Sequence, residues 1–332
     1  MLFFVVILYS FLFFMGALTK NARQTRELKS EAPAFTASEL KEKEERVRAE
    51  LESRPVLMAM MSLLLLAVLV TGCVLDIHFI RLTVQGKPWI IAPLPRAMLS
   101  WGFPEILTTL VLLFFTEGCL FLVQVFGLWL TGLEISQDAL LLANSLLRDI
   151  AVAVFVLLMV RRRKGRPFWD LGLRSNEWLR QVWRGVVSYV AMTPVLVLCF
   201  TLIAAISGLF SYEPVPQNVV QMYLKPDTRP YLLWFTLFVA GLGPVLEEMY
   251  FRGFAYPVLR ARFGVGWAAA VTALVFAAFH MNAMAMLPIF VLGVYLCYLY
   301  EATGSLVPSI TAHVLHNTLM VLMTLGFRAF SS

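Results

Sequence analysis

Apolar residues fall in long blocks along this chain, separated by short polar breaks. Runs near twenty residues recur at 56–75, 104–131, 139–160, 183–210, 231–259, 284–301 and 305–327, with shorter ones at 2–18 and 265–280. A helix needs about 20 mostly apolar residues to span a bilayer. The pattern therefore predicts an all-α fold, a polytopic transmembrane helical bundle with about eight to nine spans. Residues 2–18 have no charged segment before them and no A-x-A site after them, so they read as a retained span rather than a signal peptide. Residues 19–55 break the pattern. They are polar and of mixed charge, and the spacing of Glu with Arg and Lys in SELKEKEERVRAELESR predicts a solvated helix on the membrane surface.

Composition agrees with this reading. The 332 residues are 60% hydrophobic and 14% charged, against roughly half and a quarter in soluble domains. The net charge of +6 comes from basic residues scattered between spans, which marks loops rather than a nucleic-acid surface. The densest basic cluster, RRRKGR from Arg161 to Arg166, places that loop in the cytoplasm. Span 183–210 then runs outward and 231–259 inward, with Arg260 and Arg262 inside. Counting back puts Lys20, Arg23, Arg26 and Lys29 outside, against the rule. Either residues 76–103 hold a further crossing or one early span does not cross. Cys73, Cys119, Cys199 and Cys297 all lie in apolar runs without metal-ligand spacing and read as packing residues.

Charges inside the spans change the picture. The segment GLGPVLEEMYFRG, from Gly241 to Gly253, carries Glu247, Glu248 and Arg252. One charge at the bilayer centre costs about 2.5–3.5 kcal/mol, so these must face the bundle. Glu248 and Arg252 are four apart and share a helix face. Glu247 points about 100° away and has no local partner. Gly264 in RARFGVG marks a turn, and Glu248 and His280 are equidistant from it. In an antiparallel hairpin both lie roughly 24 Å from the turn, at ~1.5 Å per residue. The next span adds His313 and Asn317 on one face, with His316 about 60° away from it. Counted from the turn at Gly304, His313 lies shallower than His280. Carboxylates beside imidazoles suit water activation or metal binding, and an imidazole or amide can donate to an oxyanion. Glu117, Asn144, Arg148 and Asp149 are further polar residues within spans.

GPVLEEMYFRG, FAAFH and HVLHN resemble the three motifs EExxxR, FxxxH and HxxxN of the CAAX protease and bacteriocin-processing (CPBP, or Abi) family, which includes the type II CAAX prenyl endopeptidases. The match places Glu247, Glu248 and Arg252 on the first motif, Phe276 and His280 on the second, and His313 and Asn317 on the third. The DLGL element after RRRKGR is also similar to the segment ahead of the family core. The resemblance covers roughly residues 104–327. It implies a protease core over 104–328, preceded by membrane segments 1–103 with the charged linker 19–55.

What the resemblance implies is an intramembrane endopeptidase acting on membrane-associated protein or peptide substrates, in a bacterial cytoplasmic (inner) membrane. The expected roles are Glu247 as general base, His280 as water-binding partner, Glu248 with Arg252 as orienting pair, and His313 with Asn317 as oxyanion donors. No cofactor is favoured. The rival is zinc held by His280, His313 and Glu248, although the sequence lacks HExxH. A non-catalytic membrane protein on the same scaffold, for immunity or transport, is the alternative function.

Overall fold

The computed structural model describes residues 37–86, 101–131, 137–163, 167–173, 177–210, 218–225, 231–282 and 285–331. The predicted span 2–18 and the linker up to residue 36 lie outside them. Among the described residues every regular element is helical: α1 (Ala37–Glu52), α2 (Pro55–Val84), α3 (Phe103–Thr131), α4 (Gln137–Arg162), a single turn at Pro167–Asp170, α5 (Trp178–Leu209) and α6 (Asn218–Leu224). A composite helix follows, made of α7 (Leu232–Thr236), π1 (Leu237–Leu242), α8 (Gly243–Glu248), π2 (Met249–Ala255) and α9 (Tyr256–Phe279). Then come α10 (Met286–Thr303) and α11 (Leu306–Ser331). α1 carries exposed Arg46–Glu42 and Arg48–Glu52 pairs one turn apart.

Seven helices among the described residues are long and apolar enough to cross a membrane, and the longest runs from Leu232 to Phe279. That one holds two crossings. Gly264 sits inside it at φ 78°, a conformation that glycine adopts without a Cβ clash. The Phe251 and Phe276 rings are 5.1 Å apart, whereas 25 residues of straight helix would separate them by ~37 Å. The chain therefore reverses at Gly264, as the hairpin reading expects. The fold is an all-α polytopic bundle, and its span count agrees with the hydropathy pattern.

The two ends of the bundle are distinct. At one end Arg163 pairs with Glu105, Arg262 lies over the Phe103 ring, and Arg260 pairs with Glu301 at 2.6 Å. There Leu306 N–H donates to the Gly172 carbonyl of the DLGL element at 2.8 Å. This end follows the basic cluster at 161–166. At the other end Arg328 donates to the Tyr223 carbonyl, and Arg54, just after α1, lies over the Phe330 ring. α1 thus sits at the end opposite the basic cluster. The span count had implied that side, and α2 alone accounts for the crossing from 55 to 84.

The two π segments have a common cause. Each runs into a proline, Pro244 after π1 and Pro257 after π2. Inside a helix a proline ring clashes with the carbonyl four residues back and removes a donor. Widening the preceding turn to i→i+5 bonding relieves that clash, and such bulges gather at functional sites. Glu247 and Glu248 end the short α-helical stretch between the two.

Candidate active site

Arg252 and Glu248 form the centre, and both are fully buried. Arg252 Nη1 donates to Glu248 Oε1 at 2.6 Å, as the four-residue spacing requires. Nη2 donates to the Gly293 carbonyl of α10 at 3.1 Å, and the guanidinium lies 4.5 Å from the Phe276 ring centroid. Such stacking on an aromatic face is favourable when desolvated. Gly293 permits the close packing of α10 on α9, because a Cβ there would stand 2.9 Å from the Ala273 Cβ. Phe276 packs beneath the site, edge-on to both His280 and His313.

His313 joins the two glutamates. Its Nδ1 lies 3.0 Å from Glu248 Oε1, and its Nε2 lies 3.7 Å from Glu247 Oε2. Glu248 is held by a guanidinium and is therefore a carboxylate, which only accepts hydrogen bonds. Nδ1 must then be the donor, and Nε2 is the nitrogen that faces Glu247. The Glu247 side chain keeps 30% of its surface open, whereas that of Glu248 is closed completely. The two adjacent carboxylates thus differ: Glu248 is paired and closed off, and Glu247 is partly open.

His280 is level with this group across the hairpin but bonds elsewhere. Its Nδ1 lies 2.8 Å from the Phe276 carbonyl of its own helix, which a carbonyl can only accept, so Nε2 is the free nitrogen. The ordering of the histidines corrects the depth argument. Counting from Gly304 made His313 shallow, yet it is His313 that touches both glutamates. The cause is that the two turns lie at different heights. Glu301, next to the Gly304 turn, accepts from Tyr256 OH at 2.9 Å and pairs with Arg260. The Gly264 turn therefore projects past the Gly304 turn by about two helical turns. Nine residues inward from Gly304 and nine back from Tyr256 bring His313 and Glu247 to one level.

Asn317 donates through Nδ2 to the Val239 carbonyl of π1 at 2.8 Å. His316 turns away, buried against α5 with Nδ1 3.3 Å from Tyr189 OH. The choice between neighbouring histidines is thereby made by direction: His313 faces the glutamates and His316 faces Tyr189. A second charged group lies beside the site on α3 and α4. Arg148 reaches Asp149 at 2.9 Å and Glu117 at 3.2 Å, and Gln124 bonds Asn144. α4 packs against α8 and π2.

The zinc set His280, His313 and Glu248 does not form a cage. Glu248 Oε1 already carries a guanidinium and an imidazole N–H. Among the described residues no group of three His, Cys, Asp or Glu stands in metal-holding geometry. Sequence reasoning missed three contributors: the Gly293 carbonyl, the Val239 carbonyl and Tyr189. Gly293, a lone glycine in the apolar run MLPIFVLGVYLCYLY, was the available signal for the first. The others are a main-chain acceptor and an ordinary aromatic, which no motif marks.

Residues 229–319 match the family model described as type II CAAX prenyl endopeptidase Rce1-like. That segment is similar to the Rce1-like family. It contains all three motifs, so the recognition drawn from them is borne out, and the family-level activity is that of a CAAX-protease-like membrane peptidase. Comparison with curated proteins and with solved structures gives no significant match. The Rce1-like match and the seven apolar helices make the chain an integral, multi-pass membrane protein.

Proposed function

We propose that the protein is an intramembrane endopeptidase that hydrolyses peptide bonds of membrane-associated protein or peptide substrates with a water activated by Glu247. One observation carries the reading: Glu247 Oε2 and His313 Nε2 face each other over 3.7 Å. Both are acceptors once His313 donates through Nδ1. That gap is too long for a direct hydrogen bond and is the kind that a water spans. A water donating one hydrogen to each would have its lone pairs directed away from both, toward a substrate carbonyl. As its oxygen bonds to the carbonyl carbon, Glu247 takes one proton. Collapse of the tetrahedral species breaks the C–N bond, and the same proton passes to the leaving amine. His280, anchored on the Phe276 carbonyl, presents Nε2 as a second proton carrier for the substrate. Glu248 and Arg252 keep His313 in the required tautomer. No step is assigned to a metal.

The test is a peptidase assay on purified protein in nanodiscs, read by mass spectrometry of a membrane-anchored peptide library. Glu247→Gln keeps the shape and removes the base. We expect kcat to fall by roughly 100- to 10,000-fold, the usual worth of a general base, while the wild type survives exhaustive chelation. Equal cleavage by wild type and Glu247→Gln would overturn Glu247 as the base, and no cleavage by either would return the protein to the non-catalytic alternative. Activity abolished by chelation and restored by zinc alone would put the ion back into the mechanism.

A further inference from the structure

Asn317 shares a face of α11 with His313, one helical turn on, and the family motif pairs the two. The Val239 carbonyl that it meets is unusual. In an α-helix this oxygen would accept from the N–H of residue 243, but in π1 the Gly243 N–H donates to Phe238 instead. In a π-helix it would accept from residue 244, but that residue is Pro244, which has no N–H. The helix itself therefore offers Val239 no donor, and an unpaired carbonyl in a membrane interior costs several kcal/mol. The Asn317 amide supplies the missing donor at 2.8 Å, across 78 residues of sequence.

The consequence for the site is geometric. α11 is pinned to the composite helix at two points, by Asn317 on Val239 and by His313 on Glu248. Pro244 lies between the two anchors. The first bond fixes the height and rotation of α11 at which the second can form. We infer that Asn317 is a positioning residue, whose amide replaces the donor that Pro244 denies to Val239 and thereby holds His313 against Glu248. The amide has a second N–H, so this positioning role is additional to the oxyanion donor that the motif resemblance implied. It rests on the proposed reading only in treating the His313–Glu248 contact as part of the working site.

Two readouts test it, one of which needs no activity. The chain has four histidines, so selective 15N-histidine labelling gives a small set of imidazole signals, assignable by His→Gln variants. In folded Asn317→Ala we expect the His313 signals to move while those of His78 stay in place. The second readout is a rescue. Pro244→Ala restores a main-chain N–H where Val239 lacks one. In the protease assay Asn317→Ala is expected to lower kcat about 100-fold, the scale of a 1 Å misplacement, and Pro244→Ala in the same chain to recover at least about tenfold of that. An oxyanion donor cannot be replaced by a main-chain N–H one turn from the carboxylates. A folded Asn317→Ala variant with wild-type His313 signals, or a kcat loss that Pro244→Ala leaves unchanged, would overturn the inference. If Asn317→Ala does not fold, recovery of folded protein by Pro244→Ala supports it and failure to recover refutes it. If the wild type cleaves nothing, the protease reading fails and the imidazole spectra alone decide the role of Asn317.

Discussion

Two charged clusters lie within the spans, each built around one arginine, and they are managed in opposite ways. In the first, Arg252 and Glu248 are wholly closed off, and Arg252 also meets the Gly293 carbonyl and the Phe276 ring. In the second, Arg148, Glu117 and Asp149 keep 31%, 29% and 16% of their side-chain surface open. A closed pair has no medium to fall back on, so each member depends on the other, and loss of one leaves an uncompensated charge. An open group can exchange a lost partner for whatever fills the space beside it. The first arrangement suits a scaffold that must hold a histidine in one tautomer. The second suits a wall that tolerates change.

That contrast can be broken by experiment. Arg252→Ala should be the most damaging change, because it strands Glu248 in a dry setting at a cost of about 3–5 kcal/mol. That is a large part of the 5–15 kcal/mol that typically holds a domain folded. Thermal unfolding in detergent should show it, and Arg252→Ala with Glu248→Ala should be milder than Arg252→Ala alone. Gly293→Ala comes next. Its Cβ meets Ala273, so overpacking of about 1–3 kcal/mol should combine with displacement of the Arg252 anchor, and activity should fall with the unfolding midpoint. Arg148→Gln should be the mildest, near the ~0.6 kcal/mol average for polar contacts between membrane helices. An Arg148→Gln midpoint as low as that of Arg252→Ala would erase the distinction between the clusters.

Much of this architecture was legible in the sequence. Equal distances from Gly264 place Glu248 level with the second motif, and the Phe251–Phe276 contact has that register. The four-residue spacing gave the Glu248–Arg252 pair. What failed was the height of His313, because counting residues from a turn measures distance to that turn and not to a common plane. The Gly264 and Gly304 turns are offset, as the contacts of Glu301 with Tyr256 and Arg260 reveal. The π segments were not read either, although Pro244 and Pro257 announced them. A proline in a span marks a missing donor and a carbonyl to satisfy. Arg148 and Asp149 stand out in the sequence as polar residues within a span, and Glu117 on the neighbouring helix proves to be their third member.

The hairpin at Gly264 has a consequence for how the protein is made. Glu248 and Arg252 sit within one helical turn, so their charges can neutralise each other as soon as that turn leaves the ribosome. The two halves of the hairpin then face each other before α11 exists, and Phe276 can close over Arg252 during insertion into the bilayer. His313 and Asn317 arrive later, on α11. Until then Glu247 lacks its imidazole neighbour and Val239 its donor. A nascent chain halted before α11 would be a hairpin already protected from its own charges. Biosynthesis thus pairs the buried charges first and adds the imidazole and the amide afterwards.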